Sequence, residues 1–246
     1  MKPFSLAALV LALWGIFTFL TQPLPQRSAS YRLKLGLVTP LELQALLADK
    51  LDHALPPFSR VLTQKEEKKL LQAISGTLGL ATAVELDGHR LNHQLGRIGL
   101  EQHLPRFPGD TIAGHLFPEV GLTANRGAWG YFDDPVAERY YVAVQTFYLP
   151  NWNQDLRALR DWYRHRKVLV VNPATGQAVV AVIGDAGPAV FTGKQFGGSP
   201  EVMHALGFYP GPKQGRVVLL FVDDPQDQIP LGPVAYPFSS KSPVKT

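Results

Sequence analysis

Between residues 31 and 75 the apolar positions recur at the spacing of helices. A Thr stands three residues before a Glu at Thr39 and again at Thr63, which is typical of a helix capping box. Apolar residues then follow every three or four positions: Leu43, Leu47, Leu51 and Leu55 after the first Thr, and Leu70, Leu71 and Ile74 after the second. The pattern predicts two helices, the first stopped by Pro56 and the second by Gly76.

Beyond residue 140 short apolar runs rich in β-branched and aromatic residues replace this pattern. Four of these runs predict strands: residues 140–149, 167–172, 177–184 and 217–222. Two helical stretches lie between them: residues 151–166 and 199–207. Residues 173–176, Pro-Ala-Thr-Gly, read as a hairpin turn between the second and third runs. Short strands and tight turns indicate a compact β-barrel rather than a parallel α/β sheet, but periodicity does not select which barrel.

The N-terminus carries an apolar run over residues 4–20, preceded by Lys2 and followed by no charge until Arg27. This pattern indicates either a cleaved signal peptide or a short membrane anchor, and small residues at 28–30 are compatible with cleavage. Either interpretation predicts an extracytoplasmic protein, secreted or held at a membrane through this segment.

Composition narrows the classes of function. Apolar residues make up 46% and charged residues 18%, which excludes a disordered chain. The net charge of +4 is spread out, so nucleic acid is not predicted as a partner, whereas an acidic envelope polymer is compatible with it. The chain has no Cys, which excludes disulfides, thiol nucleophiles and thiolate metal sites. No phosphate-binding or dinucleotide motif is present, and no cofactor is predicted.

Residues 85–115 are dense in polar side chains, His89 and His93 among them. On a helix these two would share one face and could bind a metal. The alternative is a solvated, partly helical segment, because Gly88, Gly96 and Gly99 disfavour a rigid helix. No established ligand spacing is present, so no metal site is predicted.

Asp185 is the strongest candidate for chemistry. It follows an apolar strand and precedes Ala-Gly-Pro. Apolar surroundings would raise the pKa of its carboxyl and allow it to act as a general acid. The equally plausible alternative is a turn aspartate that bonds to the backbone two residues on.

Residues 167–207 resemble the double-psi β-barrel of the rare lipoprotein A and expansin-like group. The shared features are a strand ending in Asn172, a Gly-containing turn, an Asp-x-Gly-Pro turn at Asp185 and a short helix from Ser199 ending in Leu-Gly. More distantly, Asp185 through Phe196-Gly-Gly-Ser resembles the lytic transglycosylase A "3D" domains. The resemblance implies a mainly β fold, a six-stranded double-psi barrel with an N-terminal helical region, α+β overall. It also implies that Asp185 is a catalytic acid acting on peptidoglycan or another envelope glycan.

The chain departs from these relatives at three places. Gln145 stands where the first group has His, Gly197-Gly198 replaces Asp-Leu before Ser199, and residues 151–166 are an insertion. The predicted substrate-binding residues are Gln145, Tyr148, Trp152, Gly187, Phe191, Gly198 and Ser199, with Trp162 as a further sugar-stacking candidate. Each aromatic is also compatible with a core position, and Ser199 with a helix cap.

These observations predict that the chain has four parts: a signal peptide or anchor at 1–30, a helical or irregular region at 31–110, the barrel at 111–224 and a Pro-rich tail at 225–246. Two functions stay open at this point. One is a lytic transglycosylase that uses Asp185 alone as acid and base. The other is a non-catalytic, expansin-like module that binds or anchors to glycan.

Overall fold

A computed structural model describes residues 38–238 of the chain. The apolar segment at 4–20, on which the prediction of export depends, and the last residues of the Pro-rich tail lie outside the described residues. Within residues 38–238 no helix has both the length and the apolar character needed to cross a bilayer.

Helices α1 (Pro40–Ala54) and α2 (Gln64–Leu78) confirm the two predicted helices. Both capping boxes form, with the Thr39 and Thr63 side chains accepting from the backbone N–H three residues on. The prediction that Gly76 ends α2 is wrong. The helix continues to Leu78 because Gly79, rather than Gly76, adopts the left-handed conformation (φ +68°) that terminates it.

Residues 82–90 form short strands: β1 (Thr82–Ala83), β2 (Glu85–Leu86) and β3 (His89–Arg90). β2 and β3 pair as an antiparallel hairpin around Asp87 and Gly88, both with positive φ. The helical interpretation of this part of residues 85–115 is therefore wrong, because Asp-Gly here closes a tight turn.

Six strands close into a barrel: β4 (Leu95–Leu100), β5 (Tyr141–Val144), β6 (Lys167–Val171), β7 (Ala178–Ala186), β8 (Phe196–Gly198) and β9 (Gln214–Val222). Around the barrel their order is β4, β8, β5, β7, β6, β9 and back to β4. The β4–β8 and β5–β7 pairs are parallel, and the other four are antiparallel. This closed mixed barrel confirms the predicted fold class.

The connectivity has an internal twofold symmetry. Exchanging β4, β5 and β6 with β7, β8 and β9 leaves both the cyclic order and the direction of every pair unchanged. Such a pair of interlocked crossovers is consistent with a double-psi barrel. Helix α4 (Leu156–Tyr163), between β5 and β6, corresponds under this exchange to α5 (Pro200–Ala205), between β8 and β9. The stretch predicted to be an insertion thus holds the helix that the symmetry requires.

The barrel begins before the predicted boundary at residue 111, because β4 occupies 95–100. Sequence patterning missed this strand because Gly96 and Gly99 interrupt its apolar alternation. Both glycines are required by close packing: a Cβ on Gly96 would meet Gln195 and Phe196, and one on Gly99 would meet the Lys194 side chain.

Alternate residues of the strands share one core cluster, which is the barrel interior: Ile98, Val142, Val144, Val168, Val170, Val179, Ala181, Ile183, Phe196, Val217, Leu219 and Phe221. A smaller cluster packs on the outer face of β5 and β7 around Tyr141, Leu104 and Phe132. It includes helix α3 (Pro135–Arg139) through Ala137. Residues 101–139 therefore cover this side of the barrel. The short strand β10 (Gly232–Pro233) adds to the edge of β7.

Candidate functional site

Four residues lie side by side across four adjacent strands on the outer face of the barrel. Gly99 of β4 pairs with Gly197 of β8, Gly197 pairs with Ala143 of β5, and Ala143 pairs with Asp185 of β7. We call these four residues the Asp185 row. These four positions face outward, because their strand neighbours Val142, Val144 and Phe196 belong to the interior core.

Asp185 lies near the end of β7, and its two carboxylate oxygens differ in their hydrogen bonding. Its Oδ1 accepts from the backbone N–H of Ala128 (2.8 Å) and of Ala186 (2.9 Å). Its Oδ2 accepts no hydrogen bond from the residues that the structure describes. The side chain is half-buried, so Oδ2 is the oxygen that a ligand can reach. The turn-aspartate interpretation is wrong, because the N–H two residues on, that of Gly187, donates to the Val144 carbonyl instead. The bond to Ala128 joins the strand to the segment that covers the barrel.

Glu101 and Lys194 form an ion pair over the two glycines of the row. The Lys194 Nζ donates to Glu101 Oε1 at 3.3 Å. A Cβ on Gly197 would overlap the Glu101 side chain, and one on Gly99 would overlap Lys194. Side chains this close to the strand backbone are possible only because both positions are glycine. The pair is partly exposed, with 32% and 23% of the two side chains accessible.

The electrostatics of the two carboxyl groups are coupled. Burial raises the pKa of Asp185, although the hydrogen bonds from Ala128 and Ala186 oppose the shift. Burial also raises the pKa of Glu101; Lys194 opposes that shift and the nearby Asp185 charge adds to it. Asp185 in the row and Glu101 above it therefore both retain protons more readily than ordinary surface carboxyls do. Lys194 lies beside Glu101.

Residues 188–194 form a loop that Gln145 holds at both ends. The Gln145 Nε2 donates to the carbonyls of Pro188 (2.9 Å) and Lys194 (3.0 Å). Both hydrogens of this amide are thereby used, so in this structure Gln145 positions the loop. The Tyr148 hydroxyl accepts from the Val190 N–H at 3.2 Å. Phe191, at the loop tip, is 92% exposed.

The other predicted site residues have different surroundings. Gly187 is buried, and its N–H donates to the Val144 carbonyl at 2.9 Å. Gly198 is buried against Ile98 and Met203, and its carbonyl accepts from the Glu101 N–H. Ser199 is fully buried, donates to the Arg139 carbonyl and accepts from the Val202 N–H, so it is a helix cap. A ligand reaches none of these side chains directly.

Trp152 and Trp162 both pack against the main core while staying partly exposed. The Trp162 ring also stacks on His89 at 4.2 Å and lies beneath the Arg166 guanidinium. Its contacts place it with the β2–β3 hairpin rather than with the Asp185 row. His93 lines a different cavity, together with Arg97 and Gln195. The structure thus separates His89 and His93, and the helical metal site considered for them does not form.

Sequence reasoning missed the roles of Glu101 and Lys194. The chain separates them by 93 positions, and only the parallel pairing of β4 with β8 brings them together. The signal that was available is glycine, at Gly99 and Gly197, since glycine inside a strand often marks the close approach of another group.

Seven chains of solved structures are similar to this chain. One of them is cerato-platanin 3 from M. perniciosa, with 15% sequence identity and a TM-score of 0.30. The match covers 52% of this chain and 94% of that one. No family model and no curated protein matches the chain. The fold assignment therefore rests on the strand pairing described above.

Replacing Asp185 by Asn is expected to change the pH dependence of stability. Because folding raises the pKa of this carboxyl, the folded protein keeps a proton that the unfolded chain has released, and stability falls as pH rises above about 3.8. Asp185→Asn should remove part of this fall. Urea unfolding between pH 3.5 and 6.5 measures it, with the exposed Asp133→Asn as the control. If the unfolding free energies of wild type and Asp185→Asn change in parallel with pH, folding does not raise the pKa of Asp185.

Proposed function

We propose that the barrel is an expansin-like module that binds a polysaccharide strand along the Asp185 row. The observation that carries this proposal is the row with its partly exposed polar groups: the carboxyls of Asp185 and Glu101 and the Lys194 ammonium lie over buried glycine and alanine, and the strands add no bulky side chain there. A flat, polar strip of this kind suits a sugar chain, which presents hydroxyl groups along its edges.

The loop at residues 188–194 supports the same proposal. It begins just after Asp185 and ends at Lys194, so both of its ends adjoin the row, and it exposes Phe191 and the adjoining Tyr148. An aromatic face offers a sugar ring apolar contact, while the carboxylates accept hydrogen bonds from its hydroxyls. Because Gln145 fixes the loop at both ends, little conformational freedom is lost when the loop contacts a ligand.

We further propose an envelope glycan, with peptidoglycan as the first polymer to test. Support comes from the apolar segment at 4–20, which is typical of exported chains, and from the net charge of +4, which favours acidic polymers. Export and attachment to a membrane belong to this proposal.

A second candidate function is glycan cleavage with Asp185 as the single acid and base. One specific observation favours it: Asp185 combines a raised pKa with an open Oδ2. Protonated Oδ2 would donate to the glycosidic oxygen as the bond from that oxygen to the anomeric carbon breaks. The resulting carboxylate would then accept the proton of the C6 hydroxyl of the same sugar, whose oxygen bonds to the anomeric carbon and closes an internal ring. This reaction requires no second carboxylate at a fixed separation.

A sedimentation experiment separates the two candidates. The purified full-length chain is incubated with peptidoglycan sacculi, and with chitin and cellulose as other polymers. Retention in the pellet without soluble products supports the binding module. Release of anhydro-muropeptides that disappears in Asp185→Asn but persists in Asp133→Asn supports the cleaving enzyme instead. Failure to sediment with any of the polymers, together with no soluble product, contradicts both.

A further inference from the structure

A second polar cluster lies apart from the Asp185 row, in the segment that covers the barrel. It consists of His103 and His115, on the loop after β4, and Glu138 of α3. One ligand atom from each lies within 4.8 Å of those of the other two. The side chains are 0%, 0% and 4% exposed, so the cluster is buried.

From this geometry we infer that His103, His115 and Glu138 form a binding site for a divalent first-row metal ion, with zinc as the best match. The inference goes beyond the proposed function and does not depend on it. Two imidazole nitrogens and one carboxylate are a ligand set that zinc uses in proteins, with the fourth position left to water or a further group.

The separations of the ligand atoms fit such an ion. The Glu138 Oε1 lies 3.1 Å from His103 Nδ1, and its Oε2 lies 3.3 Å from His115 Nδ1. Around a tetrahedral ion with bonds near 2.05 Å, neighbouring ligand atoms are about 3.3 Å apart. The His115 Nδ1 is buried and makes no hydrogen bond of acceptable geometry within residues 38–238, which is the state expected of an atom that faces an ion.

The group behind His115 also fits. The other ring nitrogen of His115, Nε2, lies 3.1 Å from Asp110 Oδ2. Arg106 fixes that carboxylate through paired contacts of 2.9 Å each. A histidine that binds a metal commonly donates its second N–H to a carboxylate in this way, which fixes both the ring orientation and the tautomer.

The local charge balance favours a cation. Glu201 of α5 is buried, interacts electrostatically with both His103 and Glu138, and has an Oε2 without a hydrogen-bond partner among the described residues. Arg106 balances Asp110 and Arg139 interacts electrostatically with Glu201, but Glu138 brings a further carboxylate into the interior. Buried charges are normally paired or coordinated, and a divalent ion would balance the Glu138 carboxylate.

A metal at this site would hold in place the covering segment, which borders the Asp185 row. His103 and His115 flank a loop whose regular structure is one short 3₁₀ turn, Ile112–Gly114, and Glu138 belongs to a helix of five residues. The same covering segment supplies Glu101 and the Ala128 N–H to the Asp185 row. A metal that joins the loop to α3 would therefore stabilise the covering segment without contacting the glycan.

Zinc binding by the full-length chain, purified without an affinity tag and stripped with a chelator, tests the inference. We expect calorimetry to give one equivalent of Zn²⁺ with a Kd in the micromolar range or tighter, and the Tm to rise by several degrees. His115→Gln and Glu138→Gln should each weaken binding at least tenfold, whereas the exposed His53→Gln and His204→Gln should leave it unchanged.

A measurement on the wild-type chain covers the case in which a variant fails to fold. Long-range ¹H–¹⁵N spectra of the seven imidazoles, recorded with and without Zn²⁺, should show two rings bound through Nδ1. No saturable binding would overturn the inference. So would coordination through Nε2, or equal binding by His115→Gln and wild type.

Discussion

Replacing Gly176 by Ala is expected to lower the free energy of unfolding by about 3 kcal/mol. Gly176 closes the β6–β7 hairpin with φ +72°, a conformation in which a Cβ costs about 1 kcal/mol or more. The added methyl would also overlap the backbone carbonyl of Gln44 in α1, and backbone cannot move aside as a flexible side chain can. The barrel and the N-terminal helices would be forced apart at this contact.

Gly109→Ala is the matched control for this prediction. Gly109 has φ +83°, but a Cβ there would meet nothing within 4 Å. Its substitution measures the cost of the backbone conformation alone, about 1 kcal/mol. Urea unfolding of both variants gives the difference. If the two variants lose the same amount of unfolding free energy, the hairpin does not pack against α1 as described.

The second large effect concerns binding: Phe191→Ala should weaken association with the glycan about tenfold. Burying an exposed Phe ring against a ligand contributes roughly 1.5–3 kcal/mol, and 1.4 kcal/mol corresponds to a factor of ten. The fixed loop presents this ring without a large loss of entropy on binding. Sedimentation with increasing amounts of sacculi measures the affinity.

Phe58→Ala is the matched control for Phe191→Ala. Phe58 is also exposed, at 67%, but it lies between α1 and α2. Its removal should leave the affinity unchanged while altering the general hydrophobicity of the surface by the same amount. If both variants bind as wild type does, the loop at 188–194 is not part of the binding surface.

The elements that were predictable from the sequence are those set by neighbours along the chain. The capping boxes at Thr39 and Thr63 fix two helix starts through contacts three residues apart. The β6–β7 hairpin follows from two apolar runs joined by a turn that contains Gly176. Asp185 was recognisable because a charge that ends a long apolar run is unusual whatever the fold.

The parts that were not predictable depend on pairing between distant strands. The Asp185 row takes its members from β4, β8, β5 and β7, and their order around the barrel is not their order along the chain. β4 itself was missed because its glycines, which admit Gln195, Phe196 and Lys194, remove the periodic signal. The cluster of His103, His115 and Glu138 has no fixed spacing, since a loop and a helix bring its members together.

Gln145 shows how a residue can take a role that its position in the sequence did not suggest. The resemblance implied a cleft position and a substrate-binding role for it. Its amide, however, donates both hydrogens to loop carbonyls and holds the loop that carries Phe191. A side chain whose hydrogen bonds are already made acts on a ligand through the segment that it positions.

The central claim, that a sugar strand lies along the Asp185 row, is tested most directly by mapping where the glycan touches the protein. The ¹⁵N-labelled full-length chain is titrated with soluble, uncrosslinked glycan strands prepared from peptidoglycan, and backbone amide signals are followed. The account predicts saturable shifts at Gly99, Ala143, Asp185 and Gly197, with α1 and α2 unaffected. Unchanged signals at those four residues, or shifts concentrated on α1 and α2, would contradict it.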